Sequence, residues 1–303
     1  MKFSIFQESR KGGRKYNQDR MGYVFSRDAL LLMVADGMGG HMNGEVAAQI
    51  TVECLGRKFQ REAKPTLSDP MKFLQEAVED AHLAIIRHTE EKGLLETPRT
   101  TVVAAIVQNG TACWAHVGDS RLYLLRHGQA AAQTRDHSRV QQLVQQGLVR
   151  EEAVAAHPDR NKIYNCIGAH IPPQIELSPR HRLQTGDVLL LCSDGLWGPL
   201  PPRLLASGFL NDPLAKAVPA LITQAESRAG KDADNITALA MTWDEVEAAA
   251  GGISTHTLPP GEFNSQIDSA GLATLTSNLS DDEIDSAVAE IRKALAKSHK
   301  PNP

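Results

Sequence analysis

Apolar and polar positions along the chain fall into two periods, one suited to buried strands and one to amphipathic helices. Residues 29–35 (Ala-Leu-Leu-Leu-Met-Val-Ala) form an unbroken apolar run, as a strand covered on both faces requires. The run stops at Asp36, with Gly37, Gly39 and Gly40 close behind. From Asn43 the period changes. Val46, Ala47, Ile50, Cys54, Leu55 and Phe59 recur at helical spacing, with Asn43 placed to cap. After a loop at 65–70, Phe73, Leu74, Ala77, Val78, Ala81 and Ile85 mark one face of a second helix over residues 71–87.

The next block reads as strands. Residues 100–107 are rich in β-branched side chains, 112–117 form a second run, and 122–125 return after the turn Gly118-Asp119-Ser120-Arg121. Residues 136–170 are less apolar. Asp136-His137-Ser138 can cap a short helix over Val140, Leu143 and Val144 that Gly147 ends. This segment suits either a flap over a site or a plain long connection. Residues 187–192 predict another buried strand, and it ends in Ser193-Asp194-Gly195, repeating the order strand, Asp, Gly. A helix over 213–228, the stretch Asp232-Ala233-Asp234-Asn235 and a last strand over 236–242 follow.

Beyond Trp243 the composition shifts. Residues 247–280 are rich in Ala, Gly, Ser, Thr and Pro without periodicity, and read as linker. Ser280-Asp281-Asp282-Glu283 then has the capping-box form, and Ile284, Ala287, Val288, Ile291, Ala294 and Leu295 follow at helical spacing. A helix over 281–298 is expected. Its apolar stripe must be buried on its own domain or on a partner, and the pattern does not choose between them.

Composition narrows the function. The chain has 303 residues, a 42% hydrophobic share and a net charge of −4. No basic run offers the clustered positive face that a phosphate backbone needs, which argues against nucleic acid as partner and against a metal nuclease. No apolar run approaches the roughly 20 residues of a membrane-spanning helix. The N-terminus lacks the apolar core of a signal peptide. Cys54, Cys113, Cys166 and Cys192 are far apart with no CxxC, as expected for small buried hydrophobes in a reduced compartment. The expectation is a soluble, cytoplasmic protein.

The chemistry lies in the acids. Asp36, Asp119, Asp194 and Asp234 each stand at the end or start of an apolar strand, and Asp19 follows a short polar turn. Strand ends at one edge of a sheet can converge. Five carboxylates gathered without cations would repel one another and be pushed toward protonation, and a bound divalent ion removes that conflict. With oxygen donors alone, and no His or Cys at metal spacing, Mg²⁺ or Mn²⁺ is favoured over zinc or copper. Such a pair of ions polarises phosphoryl oxygens and acidifies bound water. Arg14, in the basic turn 10–15, offers a guanidinium fork that fits phosphate oxygens, though the turn also reads as a solvated loop. His82 and His88 are given no chemistry.

In order along the chain stand Tyr16-Asn17-Gln18-Asp19, Val34-Ala35-Asp36-Gly37-Met38-Gly39-Gly40-His41, Thr100-Thr101, Gly118-Asp119-Ser120-Arg121, Ser193-Asp194-Gly195 and Asp234-Asn235. This series resembles the motif set of the metal-dependent protein serine/threonine phosphatases, the type-2C (PPM) family in its bacterial form, over residues 1–243. The resemblance implies an α+β fold, a four-layer αββα sandwich. Two central, mainly antiparallel sheets carry helices on both outer faces, and the C-terminal helix read from the pattern above is added to it. The resemblance implies a catalytic domain at 1–245 with a flap at about 137–163, and beyond it the composition and periodicity give a linker at 246–280 and the helix at 281–298.

By matched position, the resemblance implies that Asp36 bridges two core ions and Gly37 gives one of them its carbonyl. Asp194 and Asp234 complete the other shell, and Asp19 acts nearby, partly through water. Asp119 with Asp194 holds a third, weaker ion. Arg14 grips the substrate phosphate, and His41 or a metal-bound water serves as general acid. Met38 stands where the animal pattern has His, and Gly198 stands where many members place another Asp, which weakens the third site. The reaction implied is in-line attack of a metal-bridged hydroxide on phosphoserine or phosphothreonine in proteins, with a serine/threonine kinase or its targets as substrates. A phosphatase-shaped binding or regulatory protein with weak catalysis is the competing reading.

Overall fold

The computed structural model describes residues 1–38, 43–150, 153–154, 157–159 and 162–243. Two short strands farther on, Ile253–Ser254 and Phe263–Gln266, are described by their backbone. In chain order the strands and helices are β1 (Phe3–Arg10), β2 (Asp19–Phe25), β3 (Ala29–Asp36), α1 (Gly44–Glu62), α2 (Pro70–Lys92), β4 (Val102–Gln108), β5 (Thr111–Val117), β6 (Arg121–Arg126), β7 (Gln129–Gln133), α3 (Arg139–Gln145), β8 (Glu176–Leu177), β9 (His181–Arg182), β10 (Val188–Cys192), α4 (Asp194–Trp197), α5 (Pro202–Ser207), α6 (Leu214–Ala229), β11 (Ile236–Trp243), β12 (Ile253–Ser254) and β13 (Phe263–Gln266).

One sheet has the order β12-β1-β11-β10-β6-β7 and the other β13-β2-β3-β4-β5-β8, with β9 also paired to β5. Every ladder that joins them is antiparallel. Strand side chains alternate between faces, so each central strand feeds two cores. In β3, Leu30, Leu32 and Val34 face the other sheet, while Ala29, Leu31, Met33 and Ala35 meet the helices. In β10, Leu189 and Leu191 join the inter-sheet core, and Val188, Leu190 and Cys192 pack with α6 residues Val218, Leu221 and Ile222. The apolar runs therefore lack alternation because both of their faces are dry. Three stacked cores make four layers, helix, sheet, sheet, helix, which is the expected sandwich.

The two long helices follow the predicted stripes. α2 starts at Asp69, whose carboxylate accepts from the backbone N–H groups of Met71 and Lys72, and it ends at Gly93 in the left-handed region. Between the helices, Lys58 meets Asp80 at 3.0 Å, both buried. Asn43 differs from the expectation of a side-chain cap. Its backbone is itself left-handed (φ 65°), and its side chain makes no cap bond. Its carbonyl instead accepts from Val46 N–H at 3.0 Å.

The stretch read as linker, 246–280, contains β12 and β13. They cover the outer edges of β1 and β2, with registers Ile5↔Ile253 and Tyr23↔Asn264. A sheet edge presents unpaired N–H and C=O groups that any extended backbone can satisfy, so a segment without an apolar pattern can still pair there. The expected helix at 281–298 lies outside the described residues. No helix among the described residues is long and apolar enough to cross a membrane.

Candidate active site

The acids converge at one end of the sandwich because strands of both sheets end there. Asp19 opens β2 and Asp36 closes β3, and the two are direct partners across the ladder. Asp119 sits in the turn between β5 and β6, and Asp194 follows β10. Asp234 precedes β11. A feature of each sheet is thus needed to assemble the group.

Hydrogen bonds fix each member. The Asp36 carbonyl accepts from Thr101 N–H at 2.9 Å and the Thr100 hydroxyl at 2.8 Å. The Asp36 N–H in turn donates to Thr101 Oγ1 at 3.1 Å. Ser193 donates its hydroxyl to Asp19 Oδ2 at 2.7 Å and accepts from Thr237 N–H at 3.0 Å, tying the two sheets at the site. Asn235 accepts from Gln18 N–H at 2.8 Å and donates to the carbonyls of Lys11 and Tyr16, both at 2.9 Å. That side chain holds the whole 11–18 loop, and with it Arg14, whose Nη2 reaches Asp234 Oδ2 at 2.6 Å. Ser193, Asn235 and the Thr100-Thr101 pair stand in the motif series but are given no role there. Ser193 and Asn235 adjoin acids in the chain, whereas Thr100-Thr101 reaches Asp36 only through the fold.

The electrostatics are those of a site built for cations. Burial first, and then the charges of Asp19, Asp194, Asp119 and Asp234, push the Asp36 carboxyl well above its usual range. Burial and the charges of Asp234 and Asp19 raise Asp194 to about 7. Burial raises Asp19 to about 6, against hydrogen bonds that lower it. Burial and the neighbouring Asp194 raise Asp119 well above the ordinary value. Arg14 brings a positive charge to this group through its bond to Asp234. Asp19 Oδ1 is buried with no hydrogen-bond partner. An orphaned carboxylate oxygen amid other carboxylates is what a hard cation's ligand looks like without its ion, so the residues present fit one or more divalent ions.

Gly37 completes the fit. A Cβ there would lie 2.4 Å from the Gly44 carbonyl oxygen and 2.7 Å from that of Gln18, so only glycine lets these backbones meet. Gly37→Ala is expected to lower stability by about 2 kcal/mol or more and to weaken Mn²⁺ binding, checked by melting curves with and without Mn²⁺. His41 lies outside the described residues. His82 is buried in α2 and accepts from Gly168 N–H at 3.2 Å.

A pH dependence follows from the raised carboxyls. Their folded-state pKa exceeds the unfolded one, so the metal-free fold binds more protons than the unfolded chain between the two values. Its stability is highest below the unfolded value and falls as pH rises through about 6 for Asp19 and about 7 for Asp194. In chelator, the melting temperature is expected to drop on going from mildly acidic to neutral buffer, by roughly 5 °C or more. Added Mn²⁺ is expected to remove the drop. A flat or rising melting temperature in chelator over that range would overturn the electrostatic picture.

Comparison with known proteins agrees with this geometry. The family model for protein phosphatase 2C matches residues 7–233. The chain is 32% identical to the serine/threonine phosphatase stp of Listeria monocytogenes over 244 residues, 79% of this chain and 95% of that protein. Among solved structures, the serine/threonine phosphatase Stp1 of Staphylococcus aureus superposes with a TM-score of 0.74 at 28% identity, covering 80% of this chain and 95% of that one. The catalytic domain of the phosphatase PstP, solved with two manganese ions, superposes with a TM-score of 0.67 at 31% identity, covering 80% and 98%.

Proposed function

This chain belongs to the protein phosphatase 2C family, and on that premise we propose how its own residues divide the family's reaction among them. The protein is a metal-dependent protein serine/threonine phosphatase that uses Mn²⁺ or Mg²⁺, and its substrates are phosphoproteins. When bound, the ions polarise phosphoryl oxygens and acidify water for attack at neutral pH.

Asp36 would be the central ligand, shared by two ions, with the Gly37 carbonyl as a further donor. Asp194 and Asp234 would hold the second ion, with Asp19 in support. Asp119 with Asp194 would hold a third ion, weakly, since Gly198 adds no carboxylate. The observation that carries this assignment is the orphaned, buried Asp19 Oδ1 beside carboxyls that repel one another. Arg14 has donors to spare beyond the one that meets Asp234, and its side chain is 55% exposed. It binds two oxygens of the substrate phosphate and orients it for in-line displacement. His41 delivers the proton that the serine or threonine alkoxide needs on leaving.

Residues 1–245 form the catalytic unit, with the flap at 137–163 over the site. The helix at 281–298 docks on this unit or on a partner. A serine/threonine kinase or its targets are the substrates, in a cytoplasm that keeps the four cysteines reduced. Metal-dependent release of phosphate from a phosphothreonine peptide tests the assignment. Mn²⁺ is expected to start the release and chelator to stop it. Arg14→Ala is expected to raise KM for the phosphopeptide with a smaller effect on kcat, whereas an unchanged KM would remove Arg14 from the phosphate site.

A further inference from the structure

The turn that carries Asp119 is held from an unexpected direction. Gly118 is left-handed (φ 103°), and a Cβ there would meet the Thr101 side chain at 2.6 Å. Its N–H donates to His137 Nδ1 at 3.2 Å, and its carbonyl accepts from the His137 backbone N–H at 2.9 Å. One residue thus grips the Gly118 peptide on both sides, next to Asp119. On the other side of Asp119, its carbonyl accepts from Trp197 Nε1 at 2.9 Å.

The protonation of His137 can be read from its partners. Asn165 accepts from Gln174 N–H at 3.1 Å and donates to the Gln174 carbonyl at 2.7 Å, which fixes the orientation of its amide. Its Nδ2 therefore donates also to His137 Nδ1, at 2.8 Å. With two donors aimed at Nδ1, that atom carries no proton. The proton sits on Nε2 and points to Glu176 Oε2 at 3.4 Å. The ring is therefore neutral, and burial and the neighbouring His116 ring, stacked at 4.6 Å, push its pKa down in the same direction.

His137 and Asn165 also flank the flap. Its two feet are closed on each other by the Ser138↔Ile163 bridge, by Arg139 N–H to the Lys162 carbonyl at 2.8 Å and by Tyr164 N–H to the His137 carbonyl at 3.0 Å. The flap, Asn165, His137 and the Asp119 turn are therefore one connected unit. His116, His137 and Glu176 bring ligand atoms within 4.8 Å of one another, a spacing that could suggest a separate metal site. With its proton on Nε2 and its Nδ1 lone pair taken by Gly118 and Asn165, His137 has no lone pair free for such an ion.

We infer that His137 is a positioning residue: through Nδ1 it sets the Gly118–Asp119 turn for the weak third ion and fastens the foot of the flap to that turn. This rests on the assignment of Asp119 as a ligand.

The test compares full-length variants that keep different atoms of the ring. Asn places its amide near Nδ1 and can accept from Gly118 N–H. Gln places its amide near Nε2 and cannot. His137→Gln is expected to raise the Mn²⁺ concentration for half-occupancy of the weak site about tenfold, measured by direct Mn²⁺ binding as well as by activity. His137→Asn is expected to recover most of that loss. Asn165→Asp removes the donor and draws a proton onto Nδ1, so it is expected to match His137→Gln.

In the unaltered protein, ring-nitrogen chemical shifts are expected to show His137 neutral and protonated at Nε2. A proton on Nδ1, or weak-site binding in His137→Gln equal to that of the unaltered protein, overturns the inference. Should His137→Gln fail to fold, Asn165→Asp and the nitrogen shifts decide. Asp119→Ala separates the two readings. If it leaves the weak site unchanged, the Asp119 assignment has failed. If it abolishes that site while His137→Gln and Asn165→Asp do not weaken it, the role of His137 alone has failed.

Discussion

Asp36→Ala is expected to abolish turnover while raising the melting temperature of the metal-free protein. The two effects have one cause. Asp36 faces Asp19 directly across the β2–β3 ladder and feels Asp194, Asp119 and Asp234 as well. Without ions, this carboxyl is held where its charge is least welcome, so deleting it relieves the fold. With ions, the same crowding is the binding energy for two cations, and no other side chain is assigned to both. Loss of turnover by roughly 10³-fold or more is expected, measured with Mn²⁺ on a phosphopeptide and on p-nitrophenyl phosphate. The increase in melting temperature that Mn²⁺ gives the unaltered protein is expected to shrink. Near-normal turnover in the variant would end the assignment of the centre.

The second large effect concerns stability. Arg121 makes two bonds of 2.7 Å to Asp136 and lies 3.5 Å over the Trp197 ring. Asp136 is buried, and Arg121 has a side chain only 14% exposed. Asp136→Ala leaves a guanidinium shut in without its carboxylate. Breaking one side of a buried pair costs about 3–5 kcal/mol, so the melting temperature is expected to fall by roughly 10 °C. Trp197 rests on Arg121 and donates to the Asp119 carbonyl, so the Mn²⁺ requirement is expected to rise too. Replacing both partners, Arg121→Met with Asp136→Leu, is expected to recover most of the stability. A small loss in the single variant would mean that water reaches the pair.

Arg121 and Asp136 also mark where sequence reading stops. Asp136 was expected as part of a helix cap. The side chain that caps α3 is that of Ser138, which accepts from Gln141 N–H at 3.3 Å. Asp136 instead faces back to Arg121 at the start of β6. Nothing in the order of residues shows that choice, because either use of a carboxylate ahead of a helix is chemically sound.

What the sequence determined by itself is considerable. Unbroken apolar runs such as 29–35 and 188–192 marked strands dry on both faces, and the 3.6-residue stripes marked α1 and α2. An acid at the end of each run marked the chemistry, and the ordered motifs marked the family. β1 and β2 gave no such signal. β1 alternates only weakly, and buried Arg20 interrupts β2 while its guanidinium donates to nearby carbonyls. Only the tertiary structure decided how the acids meet, because Asp19 and Asp36 come from one sheet while Asp194 and Asp234 adjoin strands of the other. Only it showed that Ser193, Asn235 and His137 hold the acids and the turns around them. A hydrogen bond between residues far apart in the chain leaves no mark on the spacing of either, and it exists only once the two sheets have packed.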